Sequence, residues 1–86
     1  MNLGKALEGT GAFDDAIAFY SRGIEVDAQA EQLYQRLMTC YQQTGRAAEA
    51  EAAYQRCIAG LATGTPRRPS AETEYLRRMI RGSAPR

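Results

Sequence analysis

The sequence contains no histidine and no tryptophan, and only three prolines and two cysteines. Histidine is the commonest metal ligand and the side chain best suited to proton transfer near neutral pH. Glycine-rich phosphate loops, Cys-x-x-Cys pairs and nucleophile elbows are also missing from the 86 residues. We therefore expect a protein that is not an enzyme and that needs neither a cofactor nor a metal ion.

Long apolar runs are missing as well. Apolar residues make up 44% of the chain, an ordinary proportion for a globular protein, but no run approaches the roughly 20 residues that cross a bilayer. The sequence also shows no charged start followed by an apolar segment, which is the pattern of a secretory signal. These observations predict a cytoplasmic chain without membrane contact. Cys40 and Cys57 lie on apolar faces of predicted helices, so we expect buried free thiols.

The net charge of +1 is distributed unevenly along the chain. Residues 1–63 carry five basic and eight acidic side chains, whereas residues 64–86 carry six arginines and two glutamates. A basic segment of this kind can contact nucleic acid or the acidic part of its own chain. Tyr75 is the only aromatic residue near these arginines, so a nucleic-acid contact is an alternative and not the leading hypothesis.

An internal repeat dominates the sequence. Residues 3–28 align with residues 37–62 at an offset of 34, and nine of the 26 pairs are identical, against about two for unrelated sequences of ordinary composition. Both copies contain Thr-Gly, where glycine permits the left-handed backbone that often ends a helix. A repeat of 34 residues is typical of paired helices.

The repeated residues also predict how these helices pack. Ala16 and Ala50 are small enough for two helices to approach closely. Two pairs at i, i+4 spacing are each expected to lie on one helical face, namely Tyr20 with Ile24 and Tyr54 with Ile58. The expected helices cover about residues 2–9, 13–26, 29–43, 47–62 and 71–81.

The helix ends carry their own signals. Asp27 is expected to cap the third helix, and Ser70 to cap the last one. Two prolines in the stretch that directly precedes Ser70 exclude a helix there. The last helix carries one apolar stripe, which consists of Tyr75, Leu76, Met79 and Ile80. This stripe is expected to pack on the helix that ends near Leu61.

The sequence resembles the tetratricopeptide repeat family. The residues that carry the resemblance are Leu3, Gly4, Gly11, Ala16, Tyr20 and Asp27 in one copy and Tyr34, Leu37, Tyr41, Gly45, Ala50 and Tyr54 in the other. The resemblance implies an all-α fold: two helix-turn-helix repeats, the first truncated at its start, and a C-terminal capping helix, together a fragment of a right-handed α-solenoid. The implied single domain, 1–86, divides into repeats 1–30 and 31–63, a loop 64–70, a capping helix 71–82 and a tail 83–86.

In such repeats the first helices line an inner groove that binds a protein or peptide partner. By resemblance, the groove residues here are Lys5, Glu8, Gln32, Gln35, Thr39, Gln42 and Gln43. A second surface follows from the truncated first repeat, which leaves Leu3, Leu7 and Phe13 without a preceding helix. We expect this apolar face to self-associate as a two-fold homodimer.

The second half resembles the bacterial transcriptional activator domain of antibiotic-pathway regulators. The resemblance rests on Leu33–Met38, Tyr41, Gly45–Arg46, Glu49–Ala50, Ala53–Cys57 and the Pro-Ser-Ala-Glu-Thr run at 69–73. It implies the C-terminal fragment of a larger activator, in which this domain follows a winged-helix DNA-binding domain and serves dimerisation or regulation. The leading hypothesis is therefore a non-catalytic interaction or oligomerisation module. The alternatives are a generic cytosolic repeat adaptor and a nucleic-acid contact through the basic end.

Overall fold

Helices account for most of the computed structural model, which describes residues 3–63 and 66–83. They are α1 (Leu3–Gly9), α2 (Phe13–Val26), α3 (Glu31–Gln43), α4 (Ala47–Leu61) and α5 (Ala71–Ser83). No strand occurs within these two described ranges. The all-α prediction is therefore confirmed, and α2 has the expected bounds.

The same turn closes both helix pairs. Gly11 and Gly45 have φ angles of +81° and +73°, a left-handed conformation that glycine adopts without a steric penalty. The residue after each glycine donates its amide hydrogen to a carbonyl oxygen five residues back, at 2.8 Å in the first turn and 2.7 Å in the second. Such short turns fold α1 back on α2 and α3 back on α4.

The core lies between the helices and follows the repeat. Ala16 and Ala50 are fully buried, as the repeated small residues predict. Cys40 and Cys57 are buried free thiols, also as predicted. The buried apolar residues are Ala16, Tyr20, Ile24, Tyr34, Leu37, Met38, Cys40, Ala50, Ala53, Tyr54, Cys57, Leu61 and Ile80.

The two copies of the repeat differ at one position. Ile24 is buried, but its counterpart Ile58 is 38% exposed. A Cβ atom at Gly60 would overlap the backbone carbonyl of Ala28. This close approach turns the Gly60 side of α4 inward and leaves Ile58, on the opposite side, towards solvent.

The start of α3 also differs from the prediction. The helix begins at Glu31, and its N-cap residue Ala30 supplies no side-chain hydrogen bond. Oδ1 of Asp27 instead accepts a 3.1 Å hydrogen bond from the amide of Gln29. Asp27 therefore stabilises the turn before α3 and does not cap the helix.

The packing face of α5 is rotated from the predicted stripe. Tyr75 and Met79 are 55% and 40% exposed, whereas Thr73 and Ile80 are buried. Leu76 is partly buried against the core. The cause is a set of polar contacts to Thr73, described below, which draw that side of α5 inward. The helix packs on α3 as well as on α4.

The boundaries near the C-terminus follow the expected order. Residues 66–70 are not helical, and α5 continues to Ser83. Residue 2 of the first predicted helix, residues 64 and 65 of the predicted loop and residues 84–86 of the predicted tail lie outside the described residues. Among the described helices, none has both the length and the apolar character that a membrane span requires.

Candidate partner-binding groove

Helices α1, α3 and α5 lie side by side, with α3 in the middle. The guanidinium group of Arg36 on α3 donates to the Glu8 carboxylate on α1. On the other side of α3, the Gln35 amide donates a 2.9 Å hydrogen bond to Oγ1 of Thr73 on α5. We call the surface shared by these three helices the groove, and it is where the predicted partner-binding residues lie.

One pocket of the groove lies at the start of α3 and has a volume of about 200 Å³. Three predicted groove residues line it, Lys5 from α1 and Gln32 and Gln35 from α3. Glu72 contributes from α5. The pocket therefore offers amide groups together with side chains of both charge signs.

A second pocket, of about 330 Å³, lies at the end of α3. Thr39, Gln42 and Gln43 line it from α3, and Leu76 and Met79 line it from α5. It combines neutral hydrogen-bonding groups with an apolar wall. The two pockets together hold six of the seven predicted groove residues.

Glu8, the seventh residue, is part of a partly buried network and lines neither pocket. Its carboxylate accepts hydrogen bonds from the Tyr20 hydroxyl group and from Arg36. Burial, together with the hydrogen bond to Glu8, raises the pKa of Tyr20 to about 12. The hydrogen bond to Glu8 likewise raises the pKa of Arg36. Glu8 thus joins α1, α2 and α3 and is not available to a partner.

A second network holds α5 on α3. The Glu31 carboxylate accepts hydrogen bonds from the Ser70 amide, at 2.7 Å, and from the Thr73 hydroxyl group. Burial opposes the ionised form of Glu31, but these bonds and the charge of Arg67 outweigh it, so the pKa of Glu31 is lowered. Ser70 Oγ also accepts from the Thr73 amide at 3.4 Å, which is the cap predicted for α5.

A third set of contacts holds α5 on α4. The Tyr54 hydroxyl group donates to Glu74 at 2.7 Å, and the Arg77 guanidinium group lies 4.4 Å from the centre of the Tyr54 ring. Arg77 also forms a 3.2 Å ion pair with Glu51. Sequence reasoning missed Glu31, Thr73, Glu74 and Arg77 as contact residues, because their partners lie 20 to 42 positions away.

The predicted association face is only partly open. Leu3 is 56% exposed, but Leu7 and Phe13 are partly buried and pack against the core. The hairpin formed by α1 and α2 covers these two side chains itself. Leu3 is therefore the residue of this set that offers most of its surface to a partner.

The arginines near the C-terminus divide into two groups. Arg67 donates to the backbone carbonyl of Gln29, and Arg77 pairs with Glu51, so both contact the rest of the chain. Arg68, Arg78 and Arg81 are exposed. Within residues 3–63 and 66–83, no cluster of three or more acidic or cysteine side chains is placed to hold a metal ion.

Comparison with known proteins gives one family. The sequence profile described as "Bacterial transcriptional activator domain" matches residues 2–81. No curated protein sequence and no solved structure matches the chain. Because the profile covers nearly all of the 86 residues, the chain belongs to the bacterial transcriptional activator domain family.

Proposed function

We propose that the chain is a non-catalytic protein-protein interaction module of a bacterial transcriptional activator, built from two tetratricopeptide-type helix pairs and a capping helix. The family match favours a regulator of transcription over a generic adaptor. The 34-residue repeat and the matching Gly11 and Gly45 turns support the repeat architecture. Since bacterial transcription takes place in the cytoplasm, the proposal places the chain there.

The partner is a protein or peptide that lies in the groove. The observation that carries this proposal is the convergence of six predicted residues from α1 and α3 on two pockets that α5 completes. Glutamine and threonine side chains offer both donors and acceptors to a peptide backbone. The apolar wall of Leu76 and Met79 can receive a side chain of the partner.

Two further features support a role without catalysis. The thiols of Cys40 and Cys57 are buried, and burial raises the pKa of each to about 11, so both are neutral and unreactive at pH 7. The carboxylates of Glu8, Glu31 and Glu74 are all engaged in hydrogen bonds that join helices. The contacts of Arg67 and Arg77 within the chain also favour a protein partner over nucleic acid.

Site-specific photo-crosslinking in the bacterial host tests the groove. A photoreactive amino acid replaces Gln32 or Gln43, both exposed in the groove, and in a matched control it replaces Ala59, exposed on α4. We expect a discrete protein adduct from the two groove positions and a much weaker one, or none, from position 59. Equal adducts from all three positions, or none from the groove, would contradict the proposal.

A further inference from the structure

A third pocket lies between α4 and α5, outside the groove. Its volume is about 470 Å³, which falls within the range of about 300–1,000 Å³ in which proteins bind small organic molecules. Four residues of α4 and three of α5 line it, and we call it the α4–α5 cleft. The groove takes Leu76 and Met79 from another face of α5, so the two sites are separate.

The floor of the α4–α5 cleft is apolar. Ala47 and Ala48, the first two residues of α4, form it together with Ile80 of α5. Most of the surface that the cleft exposes is apolar, and the methylene groups of two arginine side chains at its edge extend this surface. Because the alanine side chains are short, the floor leaves room for an apolar chain between the helices.

The polar edge of the cleft contains a fixed ion pair. Arg77 donates to the two oxygens of the Glu51 carboxylate at 3.4 and 3.2 Å, and its guanidinium group lies 4.4 Å from the centre of the Tyr54 ring. The Gln55 amide donates to the same carboxylate at 3.0 Å. These contacts hold Arg77 and Glu51 in position before a ligand binds.

Arg81 adds a second positive charge to this edge, one helical turn after Arg77. It is exposed, and it forms no ion pair with the residues that the structure describes. Burial opposes the ionised form of Glu51, but the hydrogen bonds from Gln55 and Arg77 and the charges of both arginines outweigh burial, so the pKa of Glu51 is lowered. Two arginines thus share one carboxylate, which leaves one positive charge in excess after the Arg77–Glu51 pair is counted.

We propose that the α4–α5 cleft binds a small organic molecule with an apolar body and a single carboxylate group. The carboxylate pairs with Arg81, because a planar guanidinium group matches the two oxygens of a carboxylate. The apolar body lies on the floor formed by Ala47, Ala48 and Ile80. A monoanion balances the single excess charge, whereas a dianion such as a phosphate monoester does not.

This inference goes beyond the proposed function and does not depend on it. A molecule in the cleft contacts α4 and α5 at once, so it adds to the contacts that hold α5 in place. Binding to the folded chain should therefore raise its melting temperature. Because the groove uses another face of α5, a ligand in the cleft and a partner in the groove can be bound together.

Three compounds test the proposed chemistry on the unaltered chain. Decanoate is the probe; acetate lacks its apolar chain, and decyltrimethylammonium carries the opposite charge. Two-dimensional NMR of the isotope-labelled chain measures binding, with each compound kept below the concentration at which it forms micelles. We expect decanoate to shift the amide signals of residues 47–55 and 77–81 to saturation, and the other two compounds to bind about tenfold more weakly or worse.

A matched pair of variants tests the role of Arg81. Arg81→Gln removes the proposed carboxylate partner, whereas Arg78→Gln removes an exposed charge of the same helix that does not line the cleft. The spectrum of each free variant checks that it folds. We expect Arg81→Gln to weaken decanoate binding about tenfold, as for the loss of a charge-assisted hydrogen bond, and Arg78→Gln to change it by less than about twofold.

Several results would overturn the proposal. They are a decanoate titration that leaves residues 47–55 and 77–81 unshifted, equal binding of decanoate and decyltrimethylammonium, and equal losses in the two variants. Equal binding of the two long-chain compounds would show that the cleft selects apolar surface and not a carboxylate. Failure of the groove is a separate outcome, which the crosslinks at Gln32 and Gln43 report independently.

Discussion

The hydroxyl group of Tyr54 donates a 2.7 Å hydrogen bond to Oε1 of Glu74, which joins α4 to α5. The equivalent residue 34 positions earlier, Tyr20, uses its hydroxyl group in the same way but bonds Glu8 within the first helix pair. The repeated tyrosine therefore serves one structural purpose with two different partners. In the second repeat, its partner belongs to the helix that completes the groove.

Replacing Tyr54 with phenylalanine should loosen α5. The variant removes a hydrogen bond to a charged group, and we expect a loss of about 1–2 kcal/mol in the free energy of unfolding. Urea denaturation measures it. Tyr75→Phe is the matched control, since Tyr75 is largely exposed, and it should change stability by less than about 0.5 kcal/mol. Equal losses in the two variants would show that the Tyr54 contact contributes nothing specific.

Gly45→Ala should destabilise the chain by on the order of 1 kcal/mol, because its φ of +73° is unfavourable for a residue with a Cβ atom. Gly9→Ala is the control: Gly9 lies in α1 with no neighbouring atom within 4 Å of an added Cβ. Alanine at position 9 should be neutral or slightly stabilising. Thermal unfolding distinguishes the two, and a higher melting temperature for Gly45→Ala would contradict the turn geometry.

Enlarging Ala50 or Ala16 to leucine should cost roughly 1–3 kcal/mol, since both side chains are fully buried in the packed core. Ala52→Leu, at an exposed position of the same helix as Ala50, should have an effect within about 0.5 kcal/mol. Chemical denaturation of the three variants provides the measurement. If the buried and exposed positions tolerate leucine equally, the described helix packing is wrong.

Acid should weaken the attachment of α5 through Glu31. The pKa of Glu31 is lowered in the folded chain from its ordinary value of 4.5, so its stabilising effect is complete above about pH 4.5 and is lost as the pH falls through the lower folded value. Glu31→Gln should therefore cost on the order of 1 kcal/mol at neutral pH. The difference from wild type should shrink as the pH falls towards about 3.

Unfolding experiments at both pH values measure this difference. Glu49→Gln, at an exposed position on α4, serves as the control and should follow the wild-type protein throughout. A Glu31→Gln effect of the same size at both pH values would mean that the ionised carboxylate does not hold α5.

Much of the fold could be predicted from sequence because its signals are local. The bounds of α2 and the left-handed Gly45 follow from the repeat and from the Thr-Gly pairs. The orientation of α5 could not be predicted in this way. Its apolar stripe suggested that Tyr75 faces inward, whereas Thr73 is buried instead. The residues that bury Thr73 are Glu31 and Gln35. They lie about 40 positions earlier in the chain, so no local pattern reveals these contacts.

In the candidate groove, too, some features follow from the sequence and others depend on contacts between distant residues. The resemblance predicts Gln32 and Gln43 in the groove, and in the structure each of them lines one of its two pockets. The resemblance could not show that the Glu8 carboxylate is already hydrogen-bonded to Arg36, because that contact depends on how α1 and α3 are spaced. The resemblance therefore predicts the surface, and the structure shows which of its side chains are already engaged.

Promoter activation by the proposed transcriptional activator tests the interaction function most directly. Gln32→Arg and Gln43→Arg introduce bulky charges at exposed groove positions, and Ala59→Arg introduces the same charge on the exposed side of α4. With all three variants folded, we predict that the two groove variants lose about tenfold in activation, which corresponds to ~1.4 kcal/mol of partner binding, while Ala59→Arg stays at the wild-type level. Wild-type activation by both groove variants would contradict the assignment of the groove as the partner-binding surface.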